Sequence, residues 1–320
     1  MKRFSNILAF VNTSRNDTSA LQRAVSVMNN NLASLTVVSV LDELPADMWM
    51  TVLAVSPTEI RDIAAAEELE RLEEFITVVG GNEVLIEKEV LLGRPFLEVI
   101  HQVLKRDHDL VIKNVEPSEG LLDVFFGSTD MHLMRKCPCP VWIIKPGHKH
   151  YRRILACIDF DPDSSQNEAL NRQIIEIAAS LAVAEVSELH IIHALEPFSE
   201  GILQSTAIAQ KTVEFDAIVN AEKKARRRWL ETLLEELSAT MEKEDAFFPK
   251  IQFHLINGLA RNVVPVKARE LDVDLIVMGT LSRTGIPGYF IGNTSESILS
   301  QVNCSVLTMK PPGFVSPVTL

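Results

Sequence analysis

The chain has 320 residues, of which 47% are apolar and 23% charged, as expected for a globular protein with two domains of ordinary size. Its formal net charge of −12 argues against general binding of DNA or RNA, because such binding needs a basic face. No apolar stretch is long enough to span a bilayer, and the first residues lack the apolar core of a signal peptide. We therefore expect no membrane insertion and a cytoplasmic location.

The chain contains an internal repeat. ILAFVNTS, which begins at Ile7, matches ILACIDFD, which begins at Ile154, 147 residues later. Two longer matches, from Gly93 to Gly258 and from Phe126 to Ile291, both lie 165 residues apart. Such ordered self-similarity indicates a duplicated unit. The sequence therefore predicts a first domain at 1–147, a polar linker at 148–151 and a second domain at 152–313.

Short apolar runs alternate with amphipathic segments in each copy. One such segment carries Leu69, Leu72, Ile76 and Val79 at helical spacing. Strands are predicted at 6–11, 34–41, 83–90, 110–115 and 141–145 in the first copy, and at 153–159, 188–195, 251–256, 275–278 and 305–310 in the second. This order predicts an α/β fold with two tandem Rossmann-like domains, each a five-stranded parallel sheet flanked by helices.

The second copy has features of an anion-binding site at the ends of two strands. Asp159 closes its first strand, and Gly279 closes its fourth. A glycine-rich loop follows Gly279 and ends at Gly292, where Asn293, Thr294 and Ser295 lead into the next helix, which is expected to include 297–301. Glycines let a backbone approach phosphate closely, and the first turn of a helix offers free N–H groups.

This loop resembles that of the universal stress proteins that bind ATP, which carry Gly-x2-Gly-x9-Gly-Ser/Thr after the fourth strand. Gly279, Ser282 and Gly292 keep this spacing, and Asp159 matches the carboxylate that contacts adenosine in the family. The stretch DMHLMRKCPCPVW, from Asp130, resembles the E-type tandem members. The resemblance covers nearly the whole chain and implies domains similar to adenine nucleotide alpha hydrolases. The nucleotide-binding residues that it implies are Asp159, Ala194, Met278, Gly279, Leu281, Ser282, Gly292, Asn293, Thr294 and Ser295.

Both copies depart from the family pattern. In the second, Ser282 replaces a glycine and Asn293 replaces the final Ser/Thr, although serine can still donate to phosphate and asparagine can still cap a helix. The first departs further, because Pro117 lacks an N–H and Glu116 and Glu119 add negative charge. The first-copy counterparts are Asn12, Asn114, Pro117, Gly127 and Ser128. We expect that the first copy has lost ATP binding.

The resemblance implies a stress-response protein that binds ATP or another adenine nucleotide, with or without Mg²⁺, in its second domain, and that acts through conformation or partners. The sequence lacks the motifs of P-loop hydrolases, dinucleotide enzymes, serine hydrolases and zinc proteases, so we expect neither catalytic residues nor a required cofactor. The resemblance also implies an internal pseudo-dimer of the two domains and allows a homodimer of the whole chain. An alternative is a scaffold that binds an apolar or lipid-like ligand in the same cleft, through the segment 197–214.

Several other polar residues have ordinary structural interpretations. The basic run at 223–228 is interpreted as the solvated face of an amphipathic helix. His190 and His193 are three apart on a strand and face opposite sides, and His193 can line the cleft. Cys137 and Cys139 lack zinc-site spacing. Cys139 aligns with Cys304, which favours a small buried residue at a recurrent position, so no metal site is predicted.

Overall fold

The computed structural model describes residues 4–15, 17–42, 57–80, 86–116, 126–147, 150–161, 164–195, 212–242, 249–280 and 292–320. By spatial proximity, the chain divides into two compact units. One contains the described residues of Lys2–Lys149, together with Thr280 and Asn303–Leu320, and the other contains those of His150–Gly279 and Gly292–Val302.

The first repeat alternates strands and helices along its length. Its elements are β1 (Asn6–Phe10), α1 (Ser19–Asn31), β2 (Ser34–Leu41), α2 (Pro57–Val78), β3 (Glu87–Leu92), α3 (Pro95–Arg106), β4 (Leu110–Asn114), α4 (Ser128–Lys136) and β5 (Val141–Ile144). The strands pair in the order β3-β2-β1-β4-β5, and all these pairs are parallel. The central strands are buried runs of Val, Ile, Leu and Ala, as expected for a parallel sheet covered on both faces.

The second repeat follows the same order. Its elements are β6 (Arg153–Ile158), α5 (Ser165–Glu185), β7 (Glu188–Leu195), α6 (Thr212–Glu242), β8 (Ile251–Asn257), α7 (Ala260–Glu270), β9 (Leu275–Gly279), α8 (Asn293–Leu299) and β10 (Ser305–Met309). Strands β9-β6-β7-β8 pair in that order and are parallel. The final strand, β10, pairs with β5 in antiparallel register.

The repeat extends to backbone angles that side chains rarely adopt. Gly93 and Gly258, each just after the third strand of its copy, have φ of 138° and 137°. Leu32 and Val186, which end the first helix of each copy, have φ of 53° and 55°. A non-glycine residue in this left-handed region is uncommon. The two copies therefore share these turns in detail, although their first and middle helices differ in length.

Nine of the ten predicted strands begin at the predicted residue, and their ends fall within one residue of those predicted. The predicted bounds of the third strand are wrong. It is predicted at 83–90, but β3 spans Glu87–Leu92, and residues 81–85 lie outside the described part of the chain. This strand forms the edge of its sheet and is largely exposed, so its apolar pattern is weak.

In each repeat the first strand lies between the second and the fourth, so the chain crosses to opposite sides of β1 and of β6. Such a reversal leaves a crevice beyond the carboxyl ends of the strands, where ligands bind in open α/β sheets. The candidate sites therefore lie where β1 and β4 end, and where β6 and β9 end. Within the described residues, no helix is long and apolar enough to cross a membrane.

Candidate functional site

The second cleft is formed by residues from three neighbouring strands. Cys157 of β6 pairs with Ile192 of β7 and with Met278 of β9, so the carboxyl ends of these strands share one edge of the sheet. Ala194 lies near the end of β7 and is half-buried. Three of the predicted site residues thus lie on adjacent strands at the predicted edge: Asp159, Ala194 and Met278.

Asp159 is held by the helix that follows it. Its backbone N–H donates to the side chain of Asn171, at 3.0 Å, and its carbonyl accepts from the amide groups of Asn167 and Asn171. Both asparagines belong to α5, which is capped at Ser164 by a hydrogen bond from the N–H of Asn167. These bonds fix the backbone at the end of β6 and leave the carboxylate of Asp159 half-buried at the cleft.

Gly279 lies against the helix that covers the sheet. A Cβ atom at this position would come 2.9 Å from Cδ2 of Leu170 in α5. Because real Cβ atoms do not approach so closely, a larger residue would displace Leu170. The glycine at the start of the predicted phosphate loop thus lets the side chain of Leu170 pack closely against the end of β9.

Helix α8 spans Asn293–Leu299, so it begins four residues before the predicted 297–301 segment and ends two residues before that segment does. Asn293 and Thr294 are exposed, whereas Gly292 and Ser295 are buried. The hydroxyl of Ser295 donates to the carbonyl of Gly279, at 3.1 Å, which ties the start of α8 to the end of β9. Two predicted site residues, Leu281 and Ser282, lie outside the described residues.

A group of four residues beside Asp159 was not predicted as part of the site. His193 is buried, and its Nδ1 donates to the carbonyl of Ile158, at 3.2 Å. Its Nε2 therefore accepts, and Nε of Arg226 donates to it at 3.1 Å. The guanidinium of Arg226 also lies over the Phe160 ring, 5.4 Å from its centroid, and that ring meets Trp229 edge-on at 4.8 Å. The cleft therefore contains a cation and two aromatic rings.

Arg226 belongs to the basic run at 223–228, which the sequence predicts to face solvent. Arg227 and Arg228 are exposed, as predicted, but Arg226 is half-buried and points to the cleft. A signal for this was present, since Arg226 lies three and four residues before Trp229 and Leu230. Residues at that spacing share one face of a helix, and Leu230 is buried.

The first repeat has a carboxylate where the second has Arg226. Glu68 of α2 is 4% exposed and accepts hydrogen bonds from the hydroxyls of Thr13, at 2.6 Å, and Ser39. Arg71 lies 3.6 Å from the other oxygen of Glu68. Thr13 and Ser39 are the repeat counterparts of Phe160 and His193. The corresponding contact in the first cleft is therefore acidic.

Carboxylates also occupy the start of α4 in the first repeat. Asp130 is fully buried, forms an ion pair with Lys113, and accepts from the N–H groups of Glu116 and Gly127, both at 2.9 Å. The carboxylate of Glu116 accepts from the N–H of Thr129, at 3.1 Å. Burial raises the pKa of Asp130, and the ammonium of Lys113 opposes that rise. Three backbone N–H groups here, those of Glu116, Gly127 and Thr129, are thus bonded to carboxylates of the chain itself.

Two other first-copy counterparts of predicted site residues, Asn12 and Asn114, also form hydrogen bonds within the chain. Asn12, the counterpart of Asp159, accepts from the N–H and the hydroxyl of Ser14. Asn114, the counterpart of Gly279, accepts from the N–H of Ala20, at 2.8 Å, and donates to the carbonyl of Asp17, at 2.7 Å. Its side chain joins β4 to the start of α1. Pro117 lies outside the described residues.

The other histidine of β7 and the buried cysteines are not part of the group beside Asp159. His190 contacts His254 on β8, with 3.0 Å between Nδ1 and Nε2, and it faces away from His193. Cys137, Cys139 and Cys304 are buried. Among the described residues, no group of three or more His, Cys, Asp or Glu side chains could hold a metal ion.

Comparison with known proteins identifies the fold. Residues 3–145 and 150–310 each match the model of the Universal stress protein family. The chain belongs to the universal stress protein family. The two matches also confirm the predicted tandem arrangement of Rossmann-like domains.

Relatives within the family support the E-type resemblance. The chain is 27% identical over 324 residues to Universal stress protein E of Escherichia coli K12. The aligned region covers 100% of this chain and 98% of the relative. Universal stress protein E of Photorhabdus laumondii is 26% identical over 323 residues, with 99% and 98% coverage. Universal stress protein A homolog 1 of Coxiella burnetii is 29% identical over 165 residues, which is 50% of this chain and 96% of that relative.

A solved structure has the same fold over nearly the full chain. It is that of a functionally unknown protein from Pseudomonas aeruginosa PAO1, with a TM-score of 0.70 and 22% identity. The match covers 97% of this chain and 94% of the other. The family model and this fold confirm the tandem architecture, and the relatives named above support the E-type resemblance.

Proposed function

We propose that the second repeat binds an adenine nucleotide at the carboxyl ends of β6, β7 and β9, and that the first repeat does not. The protein then acts in the stress response through its conformation or its partners, without a catalytic cycle. In this proposal Asp159 holds the adenosine, while Ala194 and Met278 line the cleft. The phosphates lie against Gly279, Leu281, Ser282, Gly292, Asn293, Thr294 and Ser295, with or without Mg²⁺.

One contrast carries the proposal. The buried ion pair of Lys113 and Asp130 in the first repeat is replaced by the neutral Met278 and Ser295 in the second. In the first cleft, the carboxylates of Asp130 and Glu116 already accept from backbone N–H groups at the start of α4. An anionic ligand would meet like charge there, which disfavours binding. Of these two carboxylates, Asp130 has a neutral counterpart, Ser295, in the second cleft.

The residues beside Asp159 also suit a nucleotide. Arg226 supplies a cation next to the strand ends, and Phe160 and Trp229 supply aromatic surface. A charged phosphate chain and a flat base are stabilised by a guanidinium and by aromatic rings respectively. This combination occurs at the strand ends where the family resemblance expects the ligand.

The test is a thermal shift of the full-length protein with ATP, ADP and AMP, with and without Mg²⁺. A ligand that binds only the folded state stabilises it by about 2.7 kcal/mol at a concentration 100 times its Kd. We expect the melting temperature to rise with nucleotide concentration, and calorimetric titration to give one site per chain. No shift at millimolar ATP, with or without Mg²⁺, would overturn the proposal. Two equivalent sites would overturn the assignment to the second repeat alone.

A second candidate ligand is an apolar or lipid-like molecule in the same cleft. The edge-on pair of Phe160 and Trp229 favours it, because such rings contribute a large apolar surface. The segment 197–214, on which this alternative also depends, lies outside the described residues, except for the first turn of α6. Native mass spectrometry of the purified protein separates the two ligands, since a co-purified acyl species and a bound nucleotide differ in mass.

The domain boundaries, assembly and location are further proposals. We place the domains at 1–147 and 152–313 with a linker at 148–151, and we propose an internal pseudo-dimer, with a homodimer of the whole chain as the next level. Light scattering on the purified chain measures directly whether the whole chain forms a homodimer. The cytoplasmic location stays a prediction from the sequence.

A further inference from the structure

Two sulfur atoms lie close together at the end of α4. Cys137 directly follows the helix, and its Sγ is 3.5 Å from that of Cys139. The side chains are separated in sequence only by Pro138, whose ring restricts the backbone between them. Cys137 is 0% exposed and Cys139 is 8% exposed. The pair is therefore preorganised, and one of its members retains a small exposed surface.

A buried lysine accompanies the two thiols. Nζ of Lys310 donates to the carbonyls of Met134 and Arg135, at 2.6 and 3.1 Å, and to the hydroxyl of Thr280, at 2.7 Å. Burial lowers the pKa of Lys310 to about 8, against the opposing effect of the two cysteines. The ammonium is thus held in place at the end of α4 beside the sulfur atoms.

The two thiols differ in acidity. Burial raises the pKa of Cys137, but the hydrogen bond from Cys139 and the charge of Lys310 outweigh this effect, so the pKa lies below its usual value. The hydrogen bond to Cys137 and burial raise the pKa of Cys139 well above its usual value. Thiolates are the reactive form of cysteine. Cys137 therefore ionises first, while Cys139 keeps its proton.

The second repeat provides an internal comparison. Cys304 occupies the position of Cys139, just before the last strand, and is likewise buried. The position of Cys137 is taken by Val302, which is also buried. A small buried residue before the last strand is therefore sufficient for the fold. The second sulfur in the first repeat is not explained by packing alone.

We propose that Cys137 and Cys139 form a redox-active dithiol that hydrogen peroxide converts to an intramolecular disulfide. The thiolate of Cys137 attacks one peroxide oxygen, the O–O bond breaks, and hydroxide leaves and takes up a proton as Cys137 becomes a sulfenic acid. The sulfur of Cys139 then loses its proton, attacks that of Cys137, and hydroxide leaves again to become water. Two thiols and one peroxide give one disulfide and two waters. The sulfurs need to approach by about 1.5 Å to reach the bond length of about 2.05 Å.

The test uses the reduced full-length protein and hydrogen peroxide at a small molar excess. Thiols are counted in denaturant after the peroxide is removed, and the protein is digested after alkylation. Cleavage after Lys136 leaves both cysteines in one peptide. We expect loss of two of the four thiols, a mass for that peptide two hydrogens below its reduced form, and recovery of both thiols with dithiothreitol.

Variants separate the proposed pair from the other cysteines. The Cys157→Ser/Cys304→Ser double variant leaves the pair untouched and should still lose two thiols to peroxide. Cys139→Ser should instead accumulate a sulfenic acid at Cys137 that dimedone traps. Lys310→Met should slow the oxidation roughly tenfold for each pH unit by which the pKa of Cys137 rises, and Lys310→Arg should restore part of the rate.

Three results would overturn the proposal. One is that all four thiols survive peroxide in the folded protein. Another is that peroxide oxidises Cys137 of the wild type to sulfinic acid and no disulfide with Cys139 forms. The third is that the lighter peptide appears only after the protein has been unfolded before oxidation, which shows that the folded chain holds the sulfurs apart.

Discussion

The two clefts differ in charge although their backbones repeat. In the first, Lys113 and Asp130 form a buried ion pair at the positions that Met278 and Ser295 occupy in the second. Asp130 fastens the start of its helix through backbone N–H groups, whereas Ser295 fastens its own through the carbonyl of Gly279. The start of the equivalent helix is therefore held by a charged carboxylate in the first copy and by a neutral hydroxyl in the second.

The middle helix shows the same contrast. Glu68 reaches Ser39 in the first repeat, and Arg226 reaches His193 in the second, so helix residues of opposite charge contact equivalent strand positions. A few side chains are thus enough to change the charge that lines a cleft. Duplication preserved the scaffold while the sites diverged.

The largest effect should come from breaking the buried ion pair. Asp130→Ser leaves the ammonium of Lys113, which is 3% exposed, with only the more distant carboxylate of Glu116, at 3.8 Å, and we expect a loss of about 3–5 kcal/mol in the free energy of unfolding. The Lys113→Met/Asp130→Ser variant installs the neutral pair of the second repeat and should recover most of that loss. Urea unfolding followed by circular dichroism measures both. Equal destabilisation of the single and double variants would contradict this account.

A reciprocal exchange of Asp159 and Asn12 tests the proposed nucleotide site. Asp159→Asn gives the second cleft the residue of the first, and a lost hydrogen bond to a charged group costs about 1.5–3 kcal/mol. The expected result is a tenfold or greater rise in the Kd for ATP, measured by calorimetry. Asn12→Asp should create no new site, because Glu116 and Asp130 still hold the backbone donors. If Asn12→Asp gained ATP binding, the single carboxylate at this position would account for the difference in binding between the two clefts.

The histidine pair gives the second repeat a pH dependence that the first lacks at the same place. Burial lowers the pKa of His190 and of His254 below the usual 6.5, and Glu188 partly opposes this for His190. The unfolded chain therefore takes up protons that the folded chain resists. Stability from this pair should be present above pH 6.5 and fall as the pH drops towards the lowered pKa values. The loss is about 1.4 kcal/mol for each pH unit by which folding lowers either pKa.

The variant His254→Gln should flatten this dependence. The counterparts of the two histidines in the first repeat are Thr36 and Glu89, so the effect belongs to the second. Chemical unfolding between pH 7.5 and pH 5.5 measures the slope, and His150→Gln, at an exposed position, serves as the control. The interpretation fails if the slope is the same in wild type and His254→Gln.

The smallest effect is expected at the start of α4. Glu116→Gln keeps an acceptor for the N–H of Thr129 but removes the negative charge from the positive end of the helix. Charges of this kind contribute about 0.3–1 kcal/mol. We expect a slightly lower urea midpoint, and no change for the exposed control Glu74→Gln. A gain of ATP binding in Glu116→Gln would mean that this carboxylate alone closes the first cleft.

Strand positions could be predicted from sequence because buried parallel strands are continuous apolar runs. The runs at 34–41 and 188–195 match β2 and β7 residue for residue. The bounds of the third strand are harder to predict from the sequence. It begins with three charged residues, Glu87, Lys88 and Glu89, because it lies at an exposed edge of the sheet, where charge is tolerated. Periodicity reports burial, so elements with little burial leave a weak signal.

The candidate site could be predicted where a residue lies at a strand end or at the start of the helix after the loop. Asp159 and Gly279 are located by the repeat and by the loop pattern. Arg226 and Glu68 come from helices whose charged residues mostly face solvent, and one-dimensional spacing does not show which of them reaches a strand. Long charged side chains span that distance with their apolar stems. Their contribution depends on tertiary packing.

The antiparallel pairing of β5 with β10 has a consequence for synthesis of the chain. Val306, Leu307 and Thr308 pair with Ile143, Trp142 and Val141, and the hydroxyl of Ser305 accepts from the N–H of Lys145 at 3.0 Å. A nascent chain that has released β5 from the ribosome must make a further 160 residues before this partner strand emerges. During that interval the edge of β5 is an unpaired template for other strands. A prematurely terminated product would therefore be prone to aggregation through this edge.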